Sequence, residues 1–406
     1  MPKKQLGLGG TVAIGLASML GAGVFVVFAT AYKLATDFIF WSIALAAAVA
    51  SLNAWSIYQL ARQVDRPGGV YAYSRVYTNN SLSFLSGLAF VIGKISSIAA
   101  IALVFEGYVF PGQTFWPAAL AISFLATINI LGINRTATVA AVLSASTITF
   151  FVGLIGLALV NPTPGNMPSH IESNSSIQSI FMAAGVIFFA FAGYARVATL
   201  GNEVRNPKVN IPRAIFISLG AVLVIYLALA AVSVQNLGAN LAQSTTPVAD
   251  LEQLFTGKIS ITPLVASLAC LGSMLALLAG VSRTMATMAE DSELPKVLQV
   301  RNRYGSPWLA ELFISAGAII LVGFGGIVLA IGFSSFSVLF YYGVGHLSAM
   351  SQSKSERVMP RPLNVLGIIL CILLSTAFGW ETFVISVGIL ATAWLVRALW
   401  KFKTSR

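Results

Sequence analysis

The sequence predicts an all-α integral membrane protein of about twelve transmembrane helices: a 5+5 inverted repeat followed by two C-terminal helices. Three observations predict it. Of the 406 residues, 57% are hydrophobic and only 9% charged, and the mean hydropathy of +0.86 lies far outside the range of soluble globular domains. The apolar residues fall in runs near the ~20 residues that a helix needs to cross a bilayer. The basic residues gather at alternate ends of those runs. The ~10-residue alternation of apolar and polar positions that marks porin-like strands is absent.

Taken in order, the runs place spans near 7–32, 38–61, 83–110, 115–132, 137–160, 177–201, 212–234, 260–288, 308–331, 333–350, 363–378 and 381–400. Together they form a single transmembrane domain over 1–406. Helices one to five, at about 7–160, begin and end on one side, whereas helices six to ten, at about 177–350, begin and end on the other. Opposite topology of two five-helix halves defines an inverted repeat, to which helices eleven and twelve, at about 363–400, are appended. The connections at 62–80, 202–211, 290–307 and 351–362 lie on the side where the chain starts, and those at 161–176 and 235–259 are the longest on the other.

The net charge of +11 is a topology signal. Lys3, Lys4, Arg62, Arg75, Arg205, Lys208, Lys296, Arg301, Lys354, Arg357, Lys401 and Lys403 flank one set of helix ends, and only Lys33 and Lys258 fall in the opposite loops. By the positive-inside rule the basic side is cytoplasmic, so both termini are cytoplasmic in a multi-pass protein of the cell membrane. The same distribution excludes nucleic acid as a partner; the bilayer is the partner it implies. Cys270 and Cys371 sit inside apolar spans, which supports neither a disulfide framework nor a metal cluster. The N-terminal apolar stretch is longer than a signal h-region and carries Gly and Ser breaks, so it reads as a retained first helix.

Two spans are interrupted by small residues at matching places: Ile14 to Phe25 (IGLASMLGAGVF) in the first and Phe188 to Tyr194 (FFAFAGY) in the sixth. A glycine-interrupted helix opens its hydrogen-bond ladder, and unpaired backbone at bilayer depth is tolerated only where it lines a protein or water cavity. Two such segments, five helices apart, point to a small-molecule site near the midplane between the repeats.

These residues carry a resemblance to the amino acid, polyamine and organocation (APC) transporter superfamily, whose members share the leucine-transporter fold. Its strongest parts are Gly21-Ala-Gly-Val-Phe25, Phe189 to Tyr194 followed by Glu203 to Arg213, and Ser282 to Pro295, with Arg66 to Tyr73 and Tyr341-Tyr342 in support. The resemblance covers nearly the whole chain and implies an amino acid permease working by alternating access.

The resemblance and the residues together nominate a site. In the first span Ser18, Gly21, Ala22 and Gly23 offer free amides, and the following half-helix its positive N-terminal dipole, to a substrate carboxylate; the alternative is close helix packing by small residues. In the sixth, the carbonyls from Ala190 to Gly193 accept from a substrate ammonium, while Phe189 resembles the family's aromatic over the bound substrate and Phe191 is a weaker candidate. Lys94 lies about 15 Å along the third helix from its basic end. A charge at that depth is expensive and functional by default, as a substrate contact or proton site; its alternatives are pairing with Glu290 or reaching to water. Arg196 departs from the family pattern and supplies a fixed positive charge or pairs with Glu106 or a substrate carboxylate, since arginine does not release its proton. Proton-coupled relatives carry a lysine in the middle of helix five, where spacing from Gly132 puts Thr147. Thr147 and Ser282 therefore stand as hydroxyl ligands for Na⁺, with plain backbone bonding as the alternative. Glu203, Arg205, Arg213, Glu290 and Asp291 resemble the family's charged gate region, or form a solvated network, and His346 reads as an interhelical hydrogen bonder.

The expectation is secondary transport of a neutral amino acid, with no cofactor and with H⁺ or Na⁺ coupling, or exchange without an ion. An acidic residue that would hold a cationic side chain is missing from the centre. An amine or polyamine carrier and a non-transporting amino acid sensor are the competing expectations. Enzymatic activity is not expected: no metal cluster, nucleophile–base constellation or phosphate loop is present.

Overall fold

The computed structural model describes residues 6–64, 68–132, 137–161, 176–194, 197, 200, 204–257 and 260–404. Helices make up most of the described residues, with one isolated parallel bridge between Leu6 and Val204. The helices are α1 (Leu8–Met19), α2 (Val27–Ala35), α3 (Ile39–Ala61), α4 (Val70–Tyr77), α5 (Asn80–Val109), α6 (Trp116–Ile130), α7 (Ala137–Val160), α8 (Ile177–Phe191), α9 (Pro207–Leu237), α10 (Pro247–Thr256), α11 (Thr262–Glu290), α12 (Trp308–Phe324), α13 (Ile327–Met350), α14 (Arg361–Thr376) and α15 (Trp380–Thr404). Eight stretches are long and apolar enough to cross a membrane, and four shorter apolar helices, among them α6 and α12, accompany them.

The thirty-residue α5 is the axis of the molecule. It packs along α13 and α11 and touches α4, α6, α12 and α15, so most of its length is buried even though its sequence is apolar all round, as expected of a core helix. By contrast α14 and α15 show their apolar residues outward, with Ile372 55% and Leu399 70% exposed. In a membrane such faces meet acyl chains instead of water.

Three local features depart from the sequence reading. The ninth and tenth spans divide at Gly325-Gly326, with α12 ending at Phe324 and α13 starting at Ile327; the reading ran the ninth span to residue 331 because apolar composition continues through two residues of low helix propensity. The connection at 62–80 contains α4, entered through Gly68 at φ +121° and Gly69 at φ +60°, a region open to glycine. The Tyr341 hydroxyl accepts the first α4 amide, Val70 N–H, at 2.8 Å. The long connection at 235–259 contains α10, which the Glu252 carboxylate ties to the start of α11 by accepting Ile261 N–H at 3.1 Å, Thr262 N–H at 3.0 Å, the Thr262 hydroxyl at 2.6 Å and the Ser260 hydroxyl. Burial raises the affinity of Glu252 for a proton, but these four donors outweigh it and hold the carboxyl below its ordinary range.

Candidate functional site

The first span loses its α-helical ladder between Met19 and Val27. α1 ends, a 3₁₀ turn covers Ala22–Phe25, and α2 follows from Val27. In the sixth span α8 gives way to a 3₁₀ turn at Ala192–Tyr194. The two interruptions lie against each other. A Cβ on Gly23 would stand 2.7 Å from Ala190 Cα, and one on Gly193 would stand 2.2 Å from Ser18 O and 2.7 Å from Met19 N. Both contacts bring backbone to backbone, which only glycine permits. Gly21 faces Ser273 of α11, whose Oγ would lie 2.2 Å from an added Cβ. Small residues thus serve packing and expose main-chain polar groups at one crossing.

Those groups are claimed by specific donors. The Tyr226 hydroxyl on α9 donates to Met19 O at 2.6 Å and lies 3.2 Å from Ala190 O, bridging the two interruptions. Tyr108 donates to Phe25 O at 2.6 Å and accepts Val248 N–H at 3.3 Å, connecting the 3₁₀ turn to α10. Ser273 donates to Ala17 O at 3.5 Å and Ser18 to Ile14 O at 2.7 Å. The Lys94 ammonium donates to Ala192 O at 3.5 Å and stands 6.0 Å from the Phe90 ring centre, with the residue 4% exposed.

The nominated residues therefore fall into groups. Ser18, Gly21, Ala22, Gly23, Ala190, Gly193 and Lys94 meet at the crossing. Phe191 is fully buried with its ring 4.9 Å from that of Tyr226, a packing position, while Phe189 is 8% exposed in the last turn of α8. Thr147 donates to Leu143 O at 2.9 Å and Ser282 to Ala279 O at 3.2 Å, each within its own helix. Arg196 and Glu203 lie outside the described residues.

One suggested pairing is corrected. Lys94 does not pair with Glu290, which sits at the protein surface with Arg301 at 3.2 Å; the ammonium turns to a carbonyl of the second interruption instead. Glu106 lies twelve residues beyond Lys94, about 18 Å along α5, and accepts Ala118 N–H at 3.2 Å at the start of α6. Arg196, the partner suggested for it, lies outside the described residues.

At the basic side the charged network centres on Glu293, which the sequence reading did not single out. Its carboxylate takes Arg397 Nε at 2.5 Å and Arg75 Nη1 at 3.4 Å, and Arg75 lies 3.9 Å from Asp291. Tyr71 donates to Asp291 at 2.8 Å; burial, then that carboxylate, push the tyrosine's proton affinity up, so it stays a donor. His346 is buried between Asn53 at 2.9 Å and Asn364 at 3.0 Å.

Comparison with known proteins then decides the family. A family profile described as amino acid permease matches residues 6–398. The chain belongs to that family, within the APC superfamily. An uncharacterized transporter of Mycobacterium bovis is 37% identical over 379 residues, covering 92% of this permease and 86% of the relative. The branched-chain amino acid permease BcaP of Bacillus subtilis is 23% identical over 94% of this chain and 90% of its own. The b(0,+)-type amino acid transporter 1 of Mus musculus is 25% identical over 89% and 79% respectively. The permease is a multi-pass membrane transporter of amino acids, not an enzyme.

Tyr226 and Tyr108 are the crossing residues that sequence reasoning missed. The only available signal was a tyrosine inside an apolar span, where a hydroxyl requires a partner.

Proposed function

We propose that this permease moves a neutral amino acid by alternating access, with the substrate held where the two interrupted spans cross. The observation that carries the reading is the backbone-to-backbone contact of Gly23 with Ala190 and of Gly193 with Ser18. It joins the start of a helical segment to the end of another. The first N–H groups of a helix lack intrahelical acceptors and carry the positive end of its dipole, which at Ala22 and Gly23 suits a carboxylate. The last carbonyls of α8, each with a second lone pair beside its present donor, suit an ammonium.

Lys94 favours a substrate without additional positive charge. Its ammonium already stands at Ala192 O, and a cationic side chain or polyamine would be repelled at low dielectric. The Bacillus subtilis relative, a branched-chain amino acid permease, supports an apolar substrate. In this reading Lys94 carries the coupling proton, because it is the buried group at the crossing able to gain and lose one. The charge distribution orients the protein in the cytoplasmic membrane with both termini inside.

Uptake of radiolabelled amino acids and amines into proteoliposomes tests this, with a pH gradient, Na⁺ or trans-loaded substrate imposed separately. The expected outcome is accumulation of neutral amino acids under a pH gradient, lost in Lys94→Met. Sodium-driven uptake insensitive to Lys94→Met transfers the coupling role to Thr147 and Ser282. Exchange alone makes the protein an antiporter, amine uptake uncompeted by amino acids rejects the substrate class, and binding without flux rejects transport.

A further inference from the structure

Among the described residues, Glu252, Glu293 and Glu311 are the most deeply buried glutamates, and they are compensated unequally. Glu252 accepts from four donors and Glu293 from two arginines. Glu311, in the first turn of α12 and 1% exposed, accepts from one neutral donor: Asn129 Nδ2 of α6 donates to its Oε1 at 2.9 Å. Its other oxygen, Oε2, is buried without a hydrogen-bond partner among the described residues. The N-terminal dipole of α12 favours a negative charge there, but it does not replace the hydrogen bonds that a buried carboxylate requires.

These surroundings satisfy an acid better than an ion. A carboxylate only accepts, on two oxygens, whereas the protonated group turns one oxygen into a donor. The Ser282 hydroxyl of α11 acts on the carboxyl without closing a bond to Oε2, and spends its proton on Ala279 O at 3.2 Å. Its lone pairs are then left to accept, as an Oε2–H requires. Asn129 is fixed from the other side, since Nδ2 also donates to Leu275 O of α11 at 3.1 Å. On the elements packed most closely against α12, which are α5, α6, α11 and the 3₁₀ turn at Lys296–Gln299, Arg283 is the charged group whose field reaches the carboxyl.

Glu311 lies six residues before Gly317, about 9 Å along α12, and a Cβ on Gly317 would stand 3.3 Å from Ile95 Cγ2, on the residue that follows Lys94. The carboxyl is therefore nearer the basic side than the level of Lys94. α11 connects it to the crossing: Ser273 donates to Ala17 O at 3.5 Å, and Ser282 follows nine residues later, about 14 Å along the same helix. We propose that Glu311 is a proton-binding site on the basic side of the crossing. Uptake of a proton forms an Oε2–H that donates to Ser282 Oγ. Release leaves a carboxylate, toward which the Ser282 hydroxyl turns from Ala279 O. Its part in coupling rests on the proton-driven reading above, in which Lys94 holds the proton at the crossing and Glu311 passes it to the cytoplasm; the site itself does not.

Infrared pH-difference spectra of the full-length protein in lipid test the site without substrate. Subtracting the spectrum of Glu311→Gln isolates the C=O band that Glu311 gains as an acid. Wild type should show this band, and it should shift in Asn129→Leu, which removes the donor to Oε1, and in Ser282→Ala, which removes the acceptor of Oε2–H. A Glu311 that gives no band before the protein unfolds overturns the site. A band erased by Na⁺ at constant pH assigns the carboxylate to a metal ion instead. Glu311→Gln keeps an acceptor for Asn129 and gains a donor for Ser282, so it should melt with wild type; a fall as large as that of Glu293→Gln marks a structural ion and overturns the site. In proteoliposomes Glu311→Gln should lose more of the accumulation driven by a pH gradient than of the exchange against trans-loaded amino acid. Accumulation lost in Lys94→Met and kept in Glu311→Gln removes Glu311 from coupling. Accumulation absent from wild type removes the proton-driven reading and leaves the infrared band to decide the site.

Discussion

The glycine crossing and the Glu293 cluster hold the same helices together by opposite means. At the crossing, neutral hydroxyls from Tyr226 and Tyr108 occupy carbonyls that the interruptions set free, and Lys94, the one cation there among the described residues, also faces a carbonyl. At the basic side, Arg397 and Arg75 converge on one carboxylate, with Asp291 and Tyr71 beside them. Ionised groups at bilayer depth are costly, so the interior solves its hydrogen-bond accounting with groups that carry no charge. Near the headgroups, water offsets part of the desolvation cost and a multi-arginine cluster is affordable. The first arrangement puts no ionised pair at the crossing among the described residues; the second consumes its charges internally.

The sharpest way to break this comparison is Gly193→Val. Its side chain meets the Ser18–Met19 backbone at 2.2 to 2.7 Å, so uptake should vanish while the protein still inserts, as read by proteoliposome flux and membrane fractionation. Normal flux would remove the crossing from transport. Next in size is Glu293→Gln, which leaves the buried Arg397 without its carboxylate. The expected cost is about 3–5 kcal/mol, visible as a lowered melting temperature in detergent.

Tyr226→Phe removes the hydroxyl shared by Met19 O and Ala190 O. Leaving a buried carbonyl unpaired costs about 1–3 kcal/mol, and both stability and uptake should fall if the crossing holds the substrate as proposed. An effect on stability alone would confine Tyr226 to packing.

Glu252 sharpens the contrast from the membrane's other side, since it is a single carboxylate serving as a helix cap. Its proton affinity is lowered on folding, so its contribution is present above the ordinary carboxylate pKa and is lost as pH falls through the lower folded value. Thermal stability should decline on acidification through that window, and Glu252→Gln should flatten the decline. The smallest effect belongs to Arg301→Gln. Its partner Glu290 is 46% exposed at the side chain, and such a pair is worth about 0–1 kcal/mol, within the scatter of a melting curve.

Several of these residues could be read before any fold was known. Gly21, Gly23 and Gly193 announced themselves because small residues in an apolar span break the expected pattern, and Lys94 because a charge at its depth is anomalous. Tyr226 and Glu293 gave no comparable sign. A tyrosine in a span and a glutamate in a charged loop are ordinary until their partners, 207 and 104 residues away in the chain, are brought to them. The break at Gly325-Gly326 went unread for a related reason: hydropathy averages over a window and misses two residues at which the helix ends.

By itself the sequence determined the solvent, the helical class, the approximate spans and the sidedness of charge, because bilayer thickness and the cost of burying ions act on composition along the chain. Tertiary structure decided which glycines touch, which carbonyls stay occupied and where Lys94 points. Those outcomes depend on contacts between residues far apart in sequence, and backbone approaches of a few ångströms are set by how whole helices pack, which local periodicity does not encode.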